Sequence, residues 1–201
     1  MENIVVETGT SLYPIYFTDD FCGLREAALK CGYEGRKLCI ISDSNVSPLY
    51  LKAVSEVLGT VFSEVKACTF KAGEKSKNLE TIREFYDFLL ENKFDRKSVI
   101  AGLGGGVVGD MAGFAAATFM RGIDFIQIPT TLLAQVDSSV GGKVGVDYGS
   151  FKNVVGAFYQ PKFVYINTST LNTLPKREFS AGMAEVIKYG IIQSEDFYNY
   201  L

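Results

Sequence analysis

The sequence predicts an α/β protein with a Rossmann-like, largely parallel sheet flanked by helices, followed by the start of an α-helical second domain. Three observations support this. Short apolar runs alternate with segments of helical period along most of the chain, the pattern of strand–helix–strand units. Apolar residues make up 47% of the 201, enough for a substantial core. The apolar run at 98–103 ends in Gly104-Gly-Gly-Val-Val-Gly-Asp110, and a helix rich in small residues opens at once. Glycines let the backbone turn tightly there, and the unpaired N–H groups of a helix start suit a phosphate.

The elements follow in order. Residues 3–7 and 13–17 read as two short strands forming a hairpin, and Asp19 or Asp20 is placed to cap a helix through Lys30. Lys37-Leu-Cys-Ile-Ile41 is a buried strand closed by Ser42-Asp-Ser-Asn45, and a helix runs from Pro48 to about Leu58. A strand lies within 61–70. Residues 78–91 have helical period, with Leu79, Ile82, Phe85, Tyr86 and Leu89 on one side. Residues 125–128 and 163–166 are further strands. The loops after Ile41, Phe70, Leu103, Ile128 and Ile166 are expected on one sheet edge, where ligands of such folds bind. Residues 137–153 read as a glycine-rich loop. A long helix is expected over 176–192, with Phe179, Met183, Val186 and Ile187 on a common side, and Ser194 caps a new one. The division expected is an α/β domain at 1–175 and the beginning of a helical second domain at 176–201, within a longer protein.

Net charge is −3, which gives no overall pull toward nucleic acid or anionic lipid. No apolar run reaches membrane-spanning length, so a cytoplasmic protein with neither nucleic-acid nor membrane partners is expected. Cys22, Cys31, Cys39 and Cys68 form no C-x-x-C pair and read as reduced, mostly buried thiols. There is no histidine, so acid–base work falls to Lys, Asp, Glu, Tyr, a bound phosphate or a cofactor.

Several motifs carry candidate chemistry. Gly104-x-Gly106-x-x-Gly109 satisfies the dinucleotide fingerprint in spelling only. It follows a late strand, and Asp124 precedes its strand instead of ending it. Thr130-Thr131 and the lysines of Asp137-Ser-Ser-Val-Gly-Gly-Lys143 and Lys152-Asn153 lie within about fifty residues of the turn, in a stretch poor in bulk. Glu74, Lys75 and Lys77 could meet ribose and phosphate, or form a solvated loop. Asp43 and Asn45 could reach an adenosine, or cap the next helix. Arg121 could close a helix end or enter a site. Glu185 and Lys188, three apart on one helix face, read as a surface ion pair or as a metal-ligating carboxylate beside a catalytic lysine.

Taken together these stretches resemble the amino-terminal part of the 3-dehydroquinate synthases. The strongest are Gly104 to Asp110, Arg121-Gly-Ile, Pro129 to Lys143, Lys152-Asn153, Gly156-Ala-Phe-Tyr-Gln-Pro161 and Met183-Ala-Glu-Val-Ile-Lys-Tyr-Gly190. The resemblance implies an NAD-dependent enzyme of the shikimate pathway that also uses a divalent metal, zinc or cobalt. It converts a phosphorylated sugar acid, 3-deoxy-D-arabino-heptulosonate 7-phosphate, to 3-dehydroquinate and phosphate. By position, Asp43, Asn45, Glu74 and Lys77 would meet the adenosine side of NAD. Gly105, Gly106 and Asp110 would hold its pyrophosphate, and Thr130, Thr131, Lys143, Lys152, Thr170 and Thr173 would complete the cofactor site. Asp137, Lys143, Asn153 and Lys188 would hold substrate, with Lys152 among the catalytic group. Arg121 would reach the partner's substrate phosphate across a homodimer, and Glu185 would be one metal ligand. The family's other metal ligands are two histidines of a carboxyl-terminal domain, so this chain alone is expected to be inactive. The usual Asn-His-Pro stretch is replaced here by Asp147-Tyr-Gly-Ser-Phe151. The competing readings are a related sugar-phosphate cyclase, a metal-dependent polyol dehydrogenase, or a non-catalytic NAD-binding module.

Overall fold

The computed structural model describes residues 2–9 and 11–201. In chain order the elements are β1 (Glu2–Thr8), β2 (Ser11–Thr18), α1 (Leu24–Lys30), β3 (Lys37–Asp43), α2 (Lys52–Leu58), β4 (Glu64–Phe70), α3 (Leu79–Glu91), β5 (Val99–Gly104), α4 (Gly106–Thr118), β6 (Asp124–Pro129), β7 (Lys143–Tyr148), β8 (Phe151–Phe158), β9 (Val164–Asn167), α5 (Lys176–Gln193) and α6 (Glu195–Tyr200). Seven strands form one sheet in the order β1-β2-β9-β6-β5-β3-β4. All its neighbours are parallel except the β1–β2 hairpin at one edge. From β3 the chain first moves outward to β4, then returns to β5 on the other side. The strand order therefore reverses between β3 and β5, and a crevice opens beyond their carboxyl ends.

The central strands are buried on both faces, which explains their near-continuous apolar runs. Alternate residues feed two cores. Cys39, Ile41, Ile100 and Phe125 face α3, α4 and the β7–β8 hairpin. Leu38, Ile40, Val99, Ala101 and Ile128 face α1 and α2. Of the stripe expected on α3, Ile82, Phe85 and Leu89 are buried, Tyr86 is half-buried and Leu79 is exposed, and Asn78 caps the helix by accepting from the Thr81 N–H at 2.9 Å. In contrast, α4 is apolar all round and buried on nearly every side. It lies between the sheet and the two-stranded β7–β8 sheet, and its small residues set how closely the layers approach. A Cβ on Gly113 would come within 2.4 Å of Val144 Cγ1 and 2.9 Å of Phe125 Cε1.

Several expectations are corrected. Neither Asp19 nor Asp20 caps α1, because Asp20 Oδ1 instead accepts from the Cys22 N–H at 2.8 Å and the helix begins after Gly23. The segment read as a glycine-rich loop is largely the β7–β8 hairpin. Val144 and Val146 bury against α4, and the opposed Gly145 and Gly156 let its two strands lie close. Of the four free cysteines only Cys39 is buried, while burial pushes the half-buried Cys68 thiol up to about 11. On α5 the apolar side is left largely uncovered, with Phe179 and Ile187 exposed and Met183 and Val186 half-buried. Contact is made by Gly182, against Leu132 and Leu133, and by Gly190, against Tyr198 of α6. Ser194 caps α6 as expected.

Replacing Gly113 by Ala pits a helix-propensity gain of about 1 kcal/mol against overpacking worth about 1–3 kcal/mol. With two buried neighbours inside 3 Å, overpacking wins. The expected outcome is a net loss of about 1–2 kcal/mol in urea unfolding, partly recovered when Val144→Ala is added. An unchanged midpoint would show that the layers are not in contact there.

Candidate active site

The candidate residues gather where the strand order reverses. Gly104 ends β5, and α4 starts at Gly106 with Gly105 as its N-cap. No side chain caps this end, so the N–H groups of the first turn are free for a ligand. The glycine turn is walled by the next strand's loop. The Thr130 N–H donates to the Gly104 carbonyl at 2.9 Å, a Cβ on Gly105 would lie 3.1 Å from Thr131 Cγ2, and one on Gly106 would lie 2.9 Å from Ser138 Oγ. Three buried hydroxyls in this region, on Thr130, Ser138 and Ser139, have no hydrogen-bond partner among the described residues. Buried hydroxyls are rarely left unpaired, and such a group aimed at a helix start fits a polar ligand.

Beside this cradle lies a buried cation. Lys77, whose side chain is only 5% exposed, donates to Asp110 Oδ2 at 2.6 Å and to Asn153 Oδ1 at 2.5 Å. The lysine comes from the loop after β4, the aspartate from α4 and the asparagine from β8, so one ammonium joins three segments. Burial pushes the Asp110 carboxyl up, and the Lys77 ammonium pulls against it. Lys152 bonds Glu74 Oε1 at 2.9 Å, and that contact raises the Lys152 ammonium. A cleft of about 360 Å³ lies here, lined by Glu74, Lys75, Lys77, Asn78, Asp147 and Gly149.

Farther along the edge, Asp43 Oδ1 accepts from the Asn45 and Val46 N–H groups at 2.8 and 3.0 Å, which shapes the turn after β3. The Thr170 hydroxyl is buried and already engaged with Gln135 Nε2 and the Asn167 carbonyl. Thr173 bonds the Tyr50 hydroxyl. The segment 134–138 carries Asp137, whose Oδ1 accepts from the Tyr189 hydroxyl at 2.7 Å. That bond holds the Tyr189 phenol well above its usual range. On the same helix Lys188 pairs with Glu185. Lys143 is exposed at the start of β7. Arg121 lies elsewhere. It is exposed in the turn before β6, at the opposite edge of the sheet, with backbone φ 71°.

Four residues to which the sequence assigned no role belong to this arrangement: Ser138, Gln135, Tyr189 and Asp147. Ser138 stood within the quoted Asp137-Ser-Ser stretch. Gln135 ties the loops after β6 and β9 together through Pro129 O, Asn167 O and Thr170 Oγ1, at 3.0–3.3 Å, a role that no sequence spacing signals.

The fold and its glycine-rich edge define a Rossmann-like α/β domain. Comparison with known proteins narrows this. The family model described as 3-dehydroquinate synthase N-terminal matches residues 67–181, and the chain belongs to that family. It is 52% identical over 189 residues to the 3-dehydroquinate synthase of Acetivibrio thermocellus, a match covering 94% of this chain and 52% of that protein. Among solved structures, 2-deoxy-scyllo-inosose synthase complexed with carbaglucose-6-phosphate, NAD⁺ and Co²⁺ superposes with a TM-score of 0.89 at 31% identity, covering 95% of this chain and 52% of that one. A Streptomyces hygroscopicus 2-epi-5-epi-valiolone synthase with NAD⁺ and Zn²⁺ bound gives a TM-score of 0.79 at 29% identity, covering 92% and 51%. The chain thus spans about half the length of the relatives it matches. Among the described residues no helix is long and apolar enough to cross a membrane.

Replacing Lys77 by Met leaves the Asp110 carboxylate buried without its cation, a loss expected to cost about 3 kcal/mol at neutral pH. The sign of the pH dependence follows from the remaining burial. It holds the folded-state carboxyl above its unfolded value, so the variant is most stable at low pH and loses stability as pH rises through that range. Urea unfolding of both proteins between pH 4 and 7 checks this, and a difference that does not widen with pH would contradict it.

Proposed function

We propose that this chain is the cofactor-carrying part of a 3-dehydroquinate synthase, acting on 3-deoxy-D-arabino-heptulosonate 7-phosphate in a homodimer of the whole protein. In this reading residues 1–175 form the NAD-binding unit and the helices from 176 begin a metal and substrate unit. The observation that carries it is the cradle itself. An uncapped helix start, two facing threonines, unpartnered hydroxyls and a buried lysine meet at the crevice between β3 and β5.

The residues fit a dinucleotide. The α4 start with Gly105 and Gly106 would take the pyrophosphate, and Thr130 and Thr131 would close over it. Asp43, Asn45, Glu74 and Lys77 would meet the adenosine side, Asp110 would neighbour the pyrophosphate, and Lys152 would help to complete the cofactor site. Bound there, NAD would supply reversible hydride acceptance at a substrate carbon. The substrate's anionic groups would be met by Lys143, Lys152 and Lys188, and its hydroxyls by Asp137 and Asn153. The Tyr189 hydroxyl holds Asp137 in place for this. Arg121, remote from its own chain's crevice, would serve a second copy's site. The chain has no histidine, so proton movement would rest on these lysines and carboxylates and on the substrate's own phosphate.

The residues do not fit a metal in the same way. Glu185 is the one candidate ligand carried over by resemblance, and no three His, Cys, Asp or Glu side chains converge among the described residues. A catalytic zinc commonly takes about three protein ligands. No step is therefore drawn through a metal.

The test is a calorimetric titration of NAD into the chain, with and without zinc, and an assay for phosphate release from the sugar-phosphate substrate. Saturable binding unchanged by zinc, without turnover, is expected. Absence of binding overturns the assignment of the cofactor site, and turnover overturns the division of labour between the two units.

A sharper outcome is expected for Thr130→Val. Removing a buried, unpartnered hydroxyl should leave stability unchanged or raise it by about 1 kcal/mol, while NAD affinity falls about tenfold. Stability and affinity moving together would show that Thr130 acts through the fold.

A further inference from the structure

The hairpin that carries Lys152 and Asn153 is irregular at one place. Val146 pairs with Val155 and Tyr148 with Phe151, so a single β7 residue, Asp147, faces residues 152–154 of β8. Such bulges unpair part of the ladder and re-aim side chains. Within this one Asn153 adopts φ 55°, a left-handed conformation that asparagine tolerates better than most residues but that needs support from its surroundings.

Asp147 supplies that support. Its Oδ1 accepts from the Asn153 N–H at 2.8 Å. Its own N–H donates to the Lys77 carbonyl at 2.9 Å. The ring is closed by Asn153 Oδ1, which accepts from Lys77 Nζ at 2.5 Å. Three residues from two distant segments thus hold one another through two backbone N–H groups and an ammonium. The Asp147 carboxylate is the one acceptor that fixes the Asn153 backbone, while Asn153 and Lys77 also bond each other directly. The charged Lys152, one residue away, pairs with Glu74 and so ties the same turn to the same loop by a separate route.

We propose that Asp147 is a positioning residue for this site. Its carboxylate sets the left-handed backbone of Asn153, and so aims the asparagine amide at Lys77 before any ligand arrives. The proposal rests on the reading above of Lys77 and Asn153 as site residues, and it gives a role to the residue that replaces the expected Asn-His-Pro stretch. What Asp147 contributes is an acceptor atom, not its charge. An asparagine there can do the same work, whereas an alanine cannot.

The experiment compares Asp147→Asn and Asp147→Ala by amide hydrogen exchange resolved at Asn153, with the amides of β5 as an internal reference for global stability, and by calorimetric NAD affinity. In Asp147→Ala the Asn153 amide is expected to exchange about tenfold faster and NAD to bind about tenfold more weakly, the loss of one hydrogen bond. The β5 amides should not change. Asp147→Asn is expected to keep both values within about twofold. Unchanged protection of Asn153 in Asp147→Ala overturns the proposal. So does an Asp147→Asn variant as impaired as the alanine one, because the role would then be electrostatic. A wild-type chain that binds no NAD removes the cofactor reading, and the exchange comparison then decides this inference alone.

Discussion

The closeness of α4 to the layers on either side of it governs the rest of the structure. A helix wedged between a parallel sheet and a second small sheet has little room for bulk where the two layers touch it. Gly109 meets Gln127 of β6, Gly113 meets both Phe125 and Val144, and the alanines at 112, 115 and 116 fill what remains. Protein interiors pack to near-crystalline density, so removing side chains here moves the layers together. That approach has two consequences at the other end of the helix. It brings the α4 start up to the crevice where the strand order reverses, and it brings the β7–β8 hairpin close enough for Asn153 to reach a lysine anchored after β4.

The site is accordingly built from fold geometry more than from any single motif. A parallel sheet places the ends of β3, β4, β5, β6 and β9 along one edge, which gathers Asp43, Lys77, Gly105, Thr130 and Thr170 although they are spread over more than a hundred residues. The buried ammonium of Lys77 then fastens the loop, the helix and the hairpin. A buried ion pair contributes little net stability compared with apolar packing of the same volume, but it is costly to leave half-made. Its contribution here is to specify one arrangement of the three segments. The unpartnered hydroxyls of Thr130 and Ser138 work the other way, as a small cost in stability kept at the place where a ligand would supply the missing partner.

Not all candidate residues share this preset frame. Thr170 spends its hydroxyl on Gln135 and Asn167, so its part is to hold the loop after β9. Glu185 and Lys188 neutralise each other on an open helix face, and Arg121 stands at the far edge of the sheet. The side of the site formed by the loops of the α/β unit is organised by internal contacts, whereas the part on α5 is joined to it through the packed Gly182 and the Tyr189–Asp137 bond. This asymmetry fits a division between cofactor binding on the sheet and chemistry completed by other elements.

Outside the β7–β8 hairpin, the succession of strands and helices, the burial of β3 and β5, the glycine turn and the Ser194 cap were legible in the sequence. They rest on local rules: period, turn residues and side-chain acceptors within three positions of the N–H they serve. The β7–β8 hairpin was not legible, because its glycines signal a loop when read locally and its valines gain meaning only against α4. The start of α1 was misplaced for a similar reason, since Asp20 satisfies a nearer N–H first. The partners within the site came from tertiary structure alone. That Lys77 is a buried cation shared by Asp110 and Asn153 depends on distances between segments as many as seventy-six residues apart, and no pattern within either segment encodes it. Sequence determined which groups were available at the edge of the sheet. The packing of α4 between its two layers decided which of them meet.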